Sequence, residues 1–534
     1  IAQWHTDGTL TLYDATQHVW GVRAAAAEVF GLKPEAVRVR NDFVGGGFGA
    51  KGYVWPHAII AALAARTVGR PVKLVLSRAQ AYASHGYQPA TEQAVTLGAT
   101  RDGRLTALRH TSVSPTSATE EHVELAAAGS RVLYACPAIQ TSHRIVRVDA
   151  IVPTPMRAPH EGPGMVGLEI AMDELAYTLR IDPLELRLRN YAERDPARGV
   201  PFSSKKLREC YLEGAERFGW AQRSSEPGSM RDGRDLVGWG MASVLMSTFC
   251  MPARARVTID RRGDVLIEAG CQEIGTGAYT VMPQIAADAL GGVDPDRIQL
   301  RLGDTTLPET GGTFGSSTTL SVGSAVHDAA TRLRARVVAL AEEQQPLDAA
   351  RYREILERVG LEQLASDGAW SPGTDNVSIH SFGAIFVEVR VDPELCIPRL
   401  SRAIGVYSAG RIVNPTTARS QMSGGIIWGL GQALLEASEP DRNLGRFVSK
   451  NLAGYLVPVN ADVPAIEAYF VDEVDPYASA IGARGIGELG AVGIGPAIAN
   501  AVFHATGTRV RELPIRPEVL LPNPARDLLE ITEG

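Results

Sequence analysis

The apolar and polar positions of this chain switch between two periods. Residues 37–44 and 72–77 read as strands, and between them a glycine turn leads into an apolar-rich helix at 57–66. Over 164–179 the period lengthens to that of a helix, with Met165, Leu168, Ala171, Met172, Leu175, Ala176 and Leu179 on one face. Residues 221–236 are polar and broken by proline and glycine, which predicts a linker between two domains, 1–220 and 237–534. Past it, 255–260 and 265–269 flank Arg261-Arg-Gly-Asp264 as a hairpin, 279–290 reads as a helix, and 384–391 with 399–407 reads as a second strand pair. Further helices are expected at 322–343, 418–435 and 495–506, while 344–376 reads as a charged helical excursion on the surface. No solenoid-type repeat is visible.

A length of 534 residues suggests two to four domains, and an apolar content of 45% supports large cores. The net charge of −7 leaves no basic face for nucleic acid. Five cysteines, Cys136, Cys210, Cys250, Cys271 and Cys396, stand alone without a CxxC pair, and no HExxH spacing occurs. Zinc or iron–sulfur ligation within the chain is therefore not expected. No apolar run of about 18 residues is evident, so no membrane span is expected. The chain opens on Ile1 in strand-like sequence, as a piece or a processed subunit would. The compartment, cytoplasmic or periplasmic, stays open.

The densest chemical signal is Gly482-Ala-Arg-Gly-Ile-Gly-Glu-Leu-Gly-Ala-Val-Gly-Ile-Gly495, where Glu488 is the only acid among six glycines. Glycine lets backbone amides approach a ligand, and a lone carboxylate there suits a general base whose pKa its site controls. A mobile surface turn is the plainer reading. Glycine turns also occur at 45–52, 157–164, 275–277 and 311–315, which suggests amides converging on a large anionic ligand. The first contains Gly47-Phe-Gly-Ala-Lys-Gly52, a GxGxxG match, and with Arg78 beyond the next strand an NADP-binding fold is a rival. As a phosphate-binding P-loop it fails, because Ala50 precedes Lys51 and Gly52 follows it. Ser316, Ser317 and Thr318 precede a helix and suit either simple capping or a bound phosphate or pterin.

Five segments together resemble the molybdenum-cofactor large subunit of the xanthine dehydrogenase and aldehyde oxidase family. They are Thr16-Gln17, Gly45-Gly-Gly-Phe-Gly-Ala-Lys51, Met156-Arg-Ala-Pro-His-Glu-Gly-Pro-Gly164, Glu273-Ile-Gly-Thr-Gly277 and Gly485-Ile-Gly-Glu-Leu-Gly490. Pro496-Ala-Ile-Ala-Asn-Ala-Val and Leu513-Pro-Ile-Arg-Pro-Glu518 also look like the family, and the 157–165 run looks closest to bacterial aldehyde dehydrogenases of the periplasmic type. The resemblance implies an α+β fold of two large mixed α/β molybdopterin-binding domains, the first lacking its N-terminal part, with the cofactor between them. It implies Glu488 as general base, and Gln17 with the amides near Gly47, Phe48, Gly49 and Arg157 around the metal's oxygen ligands. Gly275, Thr276, Gly277, Gly315, Ser316, Ser317, Thr318, Gln421, Gly485 and Gly487 would hold the pterin and its dinucleotide tail. Thr276 stands where many members have Gln. No protein side chain would ligate the metal, which the pterin dithiolene carries together with a sulfido ligand. The cofactor form implied is molybdopterin cytosine dinucleotide.

The same resemblance implies partners: a [2Fe–2S] small subunit, since the lone cysteines here cannot hold clusters, and an FAD subunit. The purine-binding pattern of the family is missing. Gly52, Pro159 and Leu245 stand where purine hydroxylases carry Glu and two Phe rings, so with Tyr53 and Met246 the expected pocket suits a small aldehyde. The reaction implied is oxidation of an aldehyde to a carboxylic acid with water as oxygen source. Hydroxylation of an N-heterocycle such as nicotinate or a purine, and a non-catalytic component without cofactor, are the alternatives.

Overall fold

The opening residues form a small sheet. Ala2–Trp4 pairs antiparallel with Leu10–Tyr13, which pairs parallel with Val37–Arg40. The helix Val19–Phe30 makes the crossover, and Pro56–Val68 packs on the first strand. These features come from a computed structural model that describes residues 1–341, 348–373, 376–441 and 443–521. The strand expected over 37–44 stops at Arg40, because the backbone then turns to the second half. The Asn41 N–H donates to the Gly303 carbonyl at 2.6 Å and the Val44 N–H to that of Glu273 at 3.0 Å. The strand expected at 72–77 does not form. Among the described residues only Val72 bridges a strand, at Ala2, and Ser77 instead caps the helix Arg78–Ser84 in a capping box with Gln80. This removes the dinucleotide-fold reading: the 45–52 turn leads to a helix starting at Pro56 and, among the described residues, to no following parallel strand.

A second sheet joins Glu92–Ala99, Leu105–Ser117 and Ile139–Val148, and the helix Glu161–Leu179 packs against its first strand. That helix begins three residues before the apolar pattern does. It buries Met165, Leu168, Met172 and Ala176 as expected, and also Glu169 and Asp173. Glu169 earns its place by cross-linking. Its Oε2 accepts from Arg187 Nε at 2.8 Å and from the Ser243 N–H at 2.6 Å, and its Oε1 accepts from the Tyr134 hydroxyl. Both ends of the Arg187–Glu169 pair are fully buried.

In the second half, a five-stranded sheet runs in the order Ala465–Phe470, Ile397–Ser408, His380–Asp392, Asp235–Ser247, Arg231–Asp232. The helix Ile494–Thr506 lies directly on Asp235–Ser247. Gly238 and Gly240 make this possible, since a Cβ at either would run into the backbone of Ala501 or Ala497. A four-stranded sheet orders Ile298–Arg301, Val265–Glu268, Ala253–Asp260 and Gln363–Trp370, with helices Ala278–Leu290 and Thr318–Ala341 packed on it. The hairpin around Arg261–Asp264 and the 384–407 strand pair form as expected, the latter extended to His380–Asp392 and Ile397–Ser408. The helices at 418–435 and 495–506 appear as Pro415–Leu434 and Ile494–Thr506. Residues 342–343 of the expected 322–343 helix lie outside the described residues.

Two expectations are corrected. Residues 344–376 are no surface excursion where they are described. Gln363–Trp370 is an edge strand paired along its whole length with Ala253–Asp260, and Ala349–Val359 buries Tyr352, Ile355 and Leu356. Charged exposed faces masked an amphipathic helix and a half-buried strand. The stretch Leu489–Thr506 is long and apolar enough to cross a membrane by composition, but 89% of it is buried inside the protein, as a core helix. Residues 221–236, expected as a linker, end in the edge of the large sheet. Arg231–Leu236 pairs in the register of the large sheet, and the largest core draws apolar side chains from both sides of the segment.

Candidate active site

Loops from both halves enclose a cavity of about 1410 Å³. From the first half come Gln17, Phe48, Gly49, Gly52, Tyr53, Arg157 and Pro159. The second half supplies Met246, Gly275, Thr276, Gly315, Ser316, Ser317, Thr318, Gln421, Gly487 and Glu488. Most of the residues expected from separate glycine loops thus converge. Gly47, Gly277 and Gly485 stand one layer behind. Gly47 backs the Gln17 carboxamide, Gly277 caps the helix Ala278–Leu290, and Gly485 backs Ser316. Leu245 is a correction. It is fully buried and packs toward Gly129, while its strand neighbour Met246 lines the cavity, because successive side chains of a strand point to opposite faces.

Glu488 sits where three segments meet. Its Oε2 accepts from Ser316 Oγ at 2.7 Å, and its Oε1 faces the Ala158 N–H at 3.4 Å. Burial pushes its pKa up and the charge of Glu161 adds to this, while the Ser316 and Ala158 hydrogen bonds and the charge of Arg157 pull it down less strongly. Arg157 is a strut: Nε donates to the Gly487 carbonyl at 3.1 Å and Nη2 to that of Gln421 at 2.8 Å. It therefore joins the base loop to the helix Pro415–Leu434.

Gln17 is held by both ends of its amide. Oε1 accepts from the Gly49 N–H at 3.0 Å and the Lys51 N–H at 3.2 Å, and Nε2 donates to the Thr313 carbonyl at 2.8 Å. An amide nitrogen has two hydrogens, so one N–H is left for a ligand. The first loop approaches the second closely at Gly49 (φ 99°), where a Cβ would run into the Pro155 carbonyl. Six non-glycine residues with positive φ occur among the described residues, and four of them, Phe48, Ala158, His160 and Ser316, lie at this site. Strain concentrated in this way marks a site whose surroundings hold the backbone in place.

Ser317 does not cap its helix. Its hydroxyl donates to the Phe314 carbonyl at 2.7 Å, and that of Ser316 goes to Glu488. The N-terminus of the 24-residue helix Thr318–Ala341 opens onto the cavity, an arrangement suited to an anion. Opposite, Glu273 fixes the 275–277 turn by accepting from the Gly275 N–H at 2.7 Å and the Gly277 N–H at 3.2 Å. No group of three or more His, Cys, Asp or Glu suited to a metal occurs among the described residues. The cavity offers backbone amides, hydroxyls and a helix N-terminus, a donor set suited to an anionic organic group.

Sequence reasoning passed over several wall residues. His160 and Glu161 lie inside the 157–164 glycine turn, so the signal was present. Glu161 is buried, accepts from Ser247 Oγ at 2.6 Å and the Ser247 N–H at 3.1 Å, and has its pKa raised by burial. Phe249 and Phe314, stacked at 6.4 Å, and Trp428, 5.2 Å from Phe48, also line the cavity; Phe314 lies in the 311–315 glycine turn, while Phe249 and Trp428 had no local signal.

Comparison with known proteins agrees with this architecture. Two family profiles, each described as a molybdopterin cofactor-binding domain, match residues 1–191 and 213–464. The aldehyde oxidoreductase molybdenum-binding subunit PaoC of Escherichia coli strain K12 is 39% identical over 537 residues, covering 98% of this chain and 72% of its own length. A xanthine dehydrogenase molybdenum-binding subunit of Escherichia coli O157:H7 is 30% identical, covering 97% and 74%. Among solved structures, quinoline 2-oxidoreductase from Pseudomonas putida 86 superposes with a TM-score of 0.88 at 23% identity, covering 100% of this chain and 73% of that one. The aldehyde oxidoreductase of Desulfovibrio gigas superposes with 0.86 at 23%, covering 98% and 59%. The chain belongs to the xanthine dehydrogenase and aldehyde oxidoreductase family. Within it, the chain is a molybdenum-cofactor-binding large subunit, an oxidoreductase whose relatives are themselves subunits of larger enzymes.

Proposed function

We propose that this subunit oxidises aldehydes to carboxylic acids with water as the oxygen source, and that Glu488 is its general base. The observation that carries this is the Glu488 carboxylate: it lines the cavity, has a raised pKa, and has one oxygen held only by a long 3.4 Å contact. Oε2 is occupied by Ser316, so Oε1, with only the long Ala158 contact, is the atom that takes the proton. When bound, the molybdenum cofactor supplies the oxygen nucleophile and accepts the two electrons. Gln17 Nε2–H and the Phe48 loop would hold the metal end of that group, and Arg157 holds the base loop against Pro415–Leu434.

The Gly275–Thr276 turn and the Ser317–Thr318 helix start hold the pterin, and Gln421 lies on the same wall. The dinucleotide form is the cytosine one, with a sulfido ligand on the metal. Gly52 and Pro159 line the cavity where purine hydroxylases carry a carboxylate and an aromatic ring, with Tyr53 and Met246 beside them, which favours an aldehyde over a purine. Electrons pass to a [2Fe–2S] small subunit and from there to an FAD subunit. Two cofactor-binding domains, 1–220 and 237–534, meet around the cofactor. The test is molybdenum and acid-released nucleotide on the complex purified with its neighbouring gene products, together with turnover of benzaldehyde. Near-stoichiometric molybdenum with CMP and aldehyde turnover is the expected result. AMP or GMP would overturn the cofactor form, and no aldehyde turnover by a molybdenum-loaded complex would overturn the activity.

A further inference from the structure

The cavity wall near Glu488 contains a polar group that base chemistry does not require. His160, with φ 69°, lines the cavity with Leu125, Pro159, Tyr53 and Met246, next to the Glu161–Ser247 pair. Its Nδ1 is 2.9 Å from Glu124 Oε1 and 3.0 Å from the Leu125 N–H. The His160 backbone N–H donates to the same Glu124 oxygen. Nδ1 thus has a partner in either protonation state, an acceptor when it carries a proton and a donor when it does not. Nε2 carries a hydrogen in the charged ring and in the neutral tautomer that accepts from Leu125, though not in the neutral Nδ1–H tautomer, and it has no hydrogen-bond partner among the described residues.

Glu124 is buried behind the ring, with its side chain fully inaccessible. It is shared: Oε2 lies 3.7 Å from Nε2 of His122, whose Nδ1 is 3.4 Å from the Tyr53 hydroxyl. Burial works against the Glu124 charge, yet nearby His122 and the hydrogen bonds and charge of His160 bring its pKa down to about 2. For His160, burial favours the neutral ring, but the Glu124 hydrogen bond and the charges of Glu124, Glu161 and Glu488 outweigh it and raise its pKa. Arg157, three residues earlier in the same loop, is spent on carbonyl groups. His143, on the strand Ile139–Val148, accepts from the Ala127 N–H through Nε2 and has its pKa lowered by burial first, then by His160. The ring this cluster presents to the cavity with a carboxylate behind it is therefore His160, 2.9 Å from buried Glu124 on its far side.

We propose that the Nε2–H edge of His160, backed by buried Glu124, anchors the remote end of the substrate and selects aldehydes that carry a carboxylate or similar anionic group away from the reacting carbon. This rests on the aldehyde reading above for its substrate class. A charge-assisted donor at the edge of an apolar wall gains most from an anionic acceptor and is left unpaired by a hydrocarbon.

The test compares kcat/KM for benzaldehyde, for the ortho, meta and para carboxybenzaldehydes and for the nitrobenzaldehydes, using the complete complex with wild-type, His160→Ala and Glu124→Gln chains. Calorimetric binding of benzoate to each complex is a readout independent of turnover. For the best carboxy isomer, the ratio to benzaldehyde is expected to fall about tenfold or more in His160→Ala, the worth of one charge-assisted hydrogen bond, and benzoate binding to weaken similarly. Glu124→Gln keeps the ring and is expected to weaken the preference as pH rises through the ordinary imidazole range. An unchanged carboxylate ratio with unchanged benzoate binding overturns the proposal. An equal loss for nitro and carboxy substrates overturns the anionic class. If the wild-type complex oxidises no aldehyde but loses benzoate binding on His160→Ala, the activity reading fails and the anchor stands.

Discussion

Removing the Ser316 hydroxyl tests how the protein sets its base. In Ser316→Ala, Glu488 Oε2 loses its 2.7 Å donor, while the Ala158 and Arg157 contributions stay. A hydrogen bond to a charged group is worth about 1.5–3 kcal/mol, so the carboxylate would hold its proton roughly tenfold to a hundredfold more tightly. The sign follows from the base form being the active one. Burial already raises the Glu488 pKa, and losing a stabilising donor raises it further, so the acidic limb of the kcat/KM profile moves to higher pH. Above the limb the base is ionised again and kcat/KM recovers most of its wild-type value. The assay is kcat/KM for benzaldehyde against pH, with molybdenum content measured in parallel to correct for lost cofactor. An acidic limb at the wild-type position, at equal molybdenum content, would refute the assignment of Glu488 as the group titrating in that limb.

Other expectations separate site from scaffold. Leu245→Ala should destabilise the subunit by about 2–5 kcal/mol in a denaturant titration, whereas Met246→Ala should mainly change KM across an aldehyde series. Glu169→Ala strands Arg187 in the core and should cost about 3–5 kcal/mol in the same titration, since the pair is fully buried and also holds the Ser243 N–H. Gly49→Ala should lower bound molybdenum as well as activity, read by metal analysis, because a Cβ there displaces the Pro155 loop beside Arg157.

The loops that line the cavity were more legible in the sequence than the strand pairing. Glycine loops and the lone Glu488 are local features, and chemistry that depends on backbone approach leaves a local trace. Local pattern also found the helices Ala278–Leu290 and Ile494–Thr506 and the hairpin at 261–264, whose register needs no distant partner. It failed where tertiary pairing decided the outcome. Residues 72–77 have a strand's composition but, beyond Val72, no strand partner among the described residues, and Gln363–Trp370 is a strand because Ala253–Asp260 lies beside it. The role of Leu245 was misjudged for a related reason: spacing places a residue near a site, but only strand register decides whether Leu245 or Met246 faces it. Glu169 and Asp173 broke the apolar face of their helix, and their partners, Arg187 and Arg509, are far enough along the chain to be invisible to a periodicity argument.

The most direct test of the central claim is Glu488→Gln, assayed for aldehyde turnover and for molybdenum on the same purified complex. The amide keeps the shape of the carboxylate but cannot take the proton, so turnover should fall by at least about 10²–10⁴-fold while molybdenum stays at the wild-type level. Turnover that survives at equal molybdenum content would contradict the account.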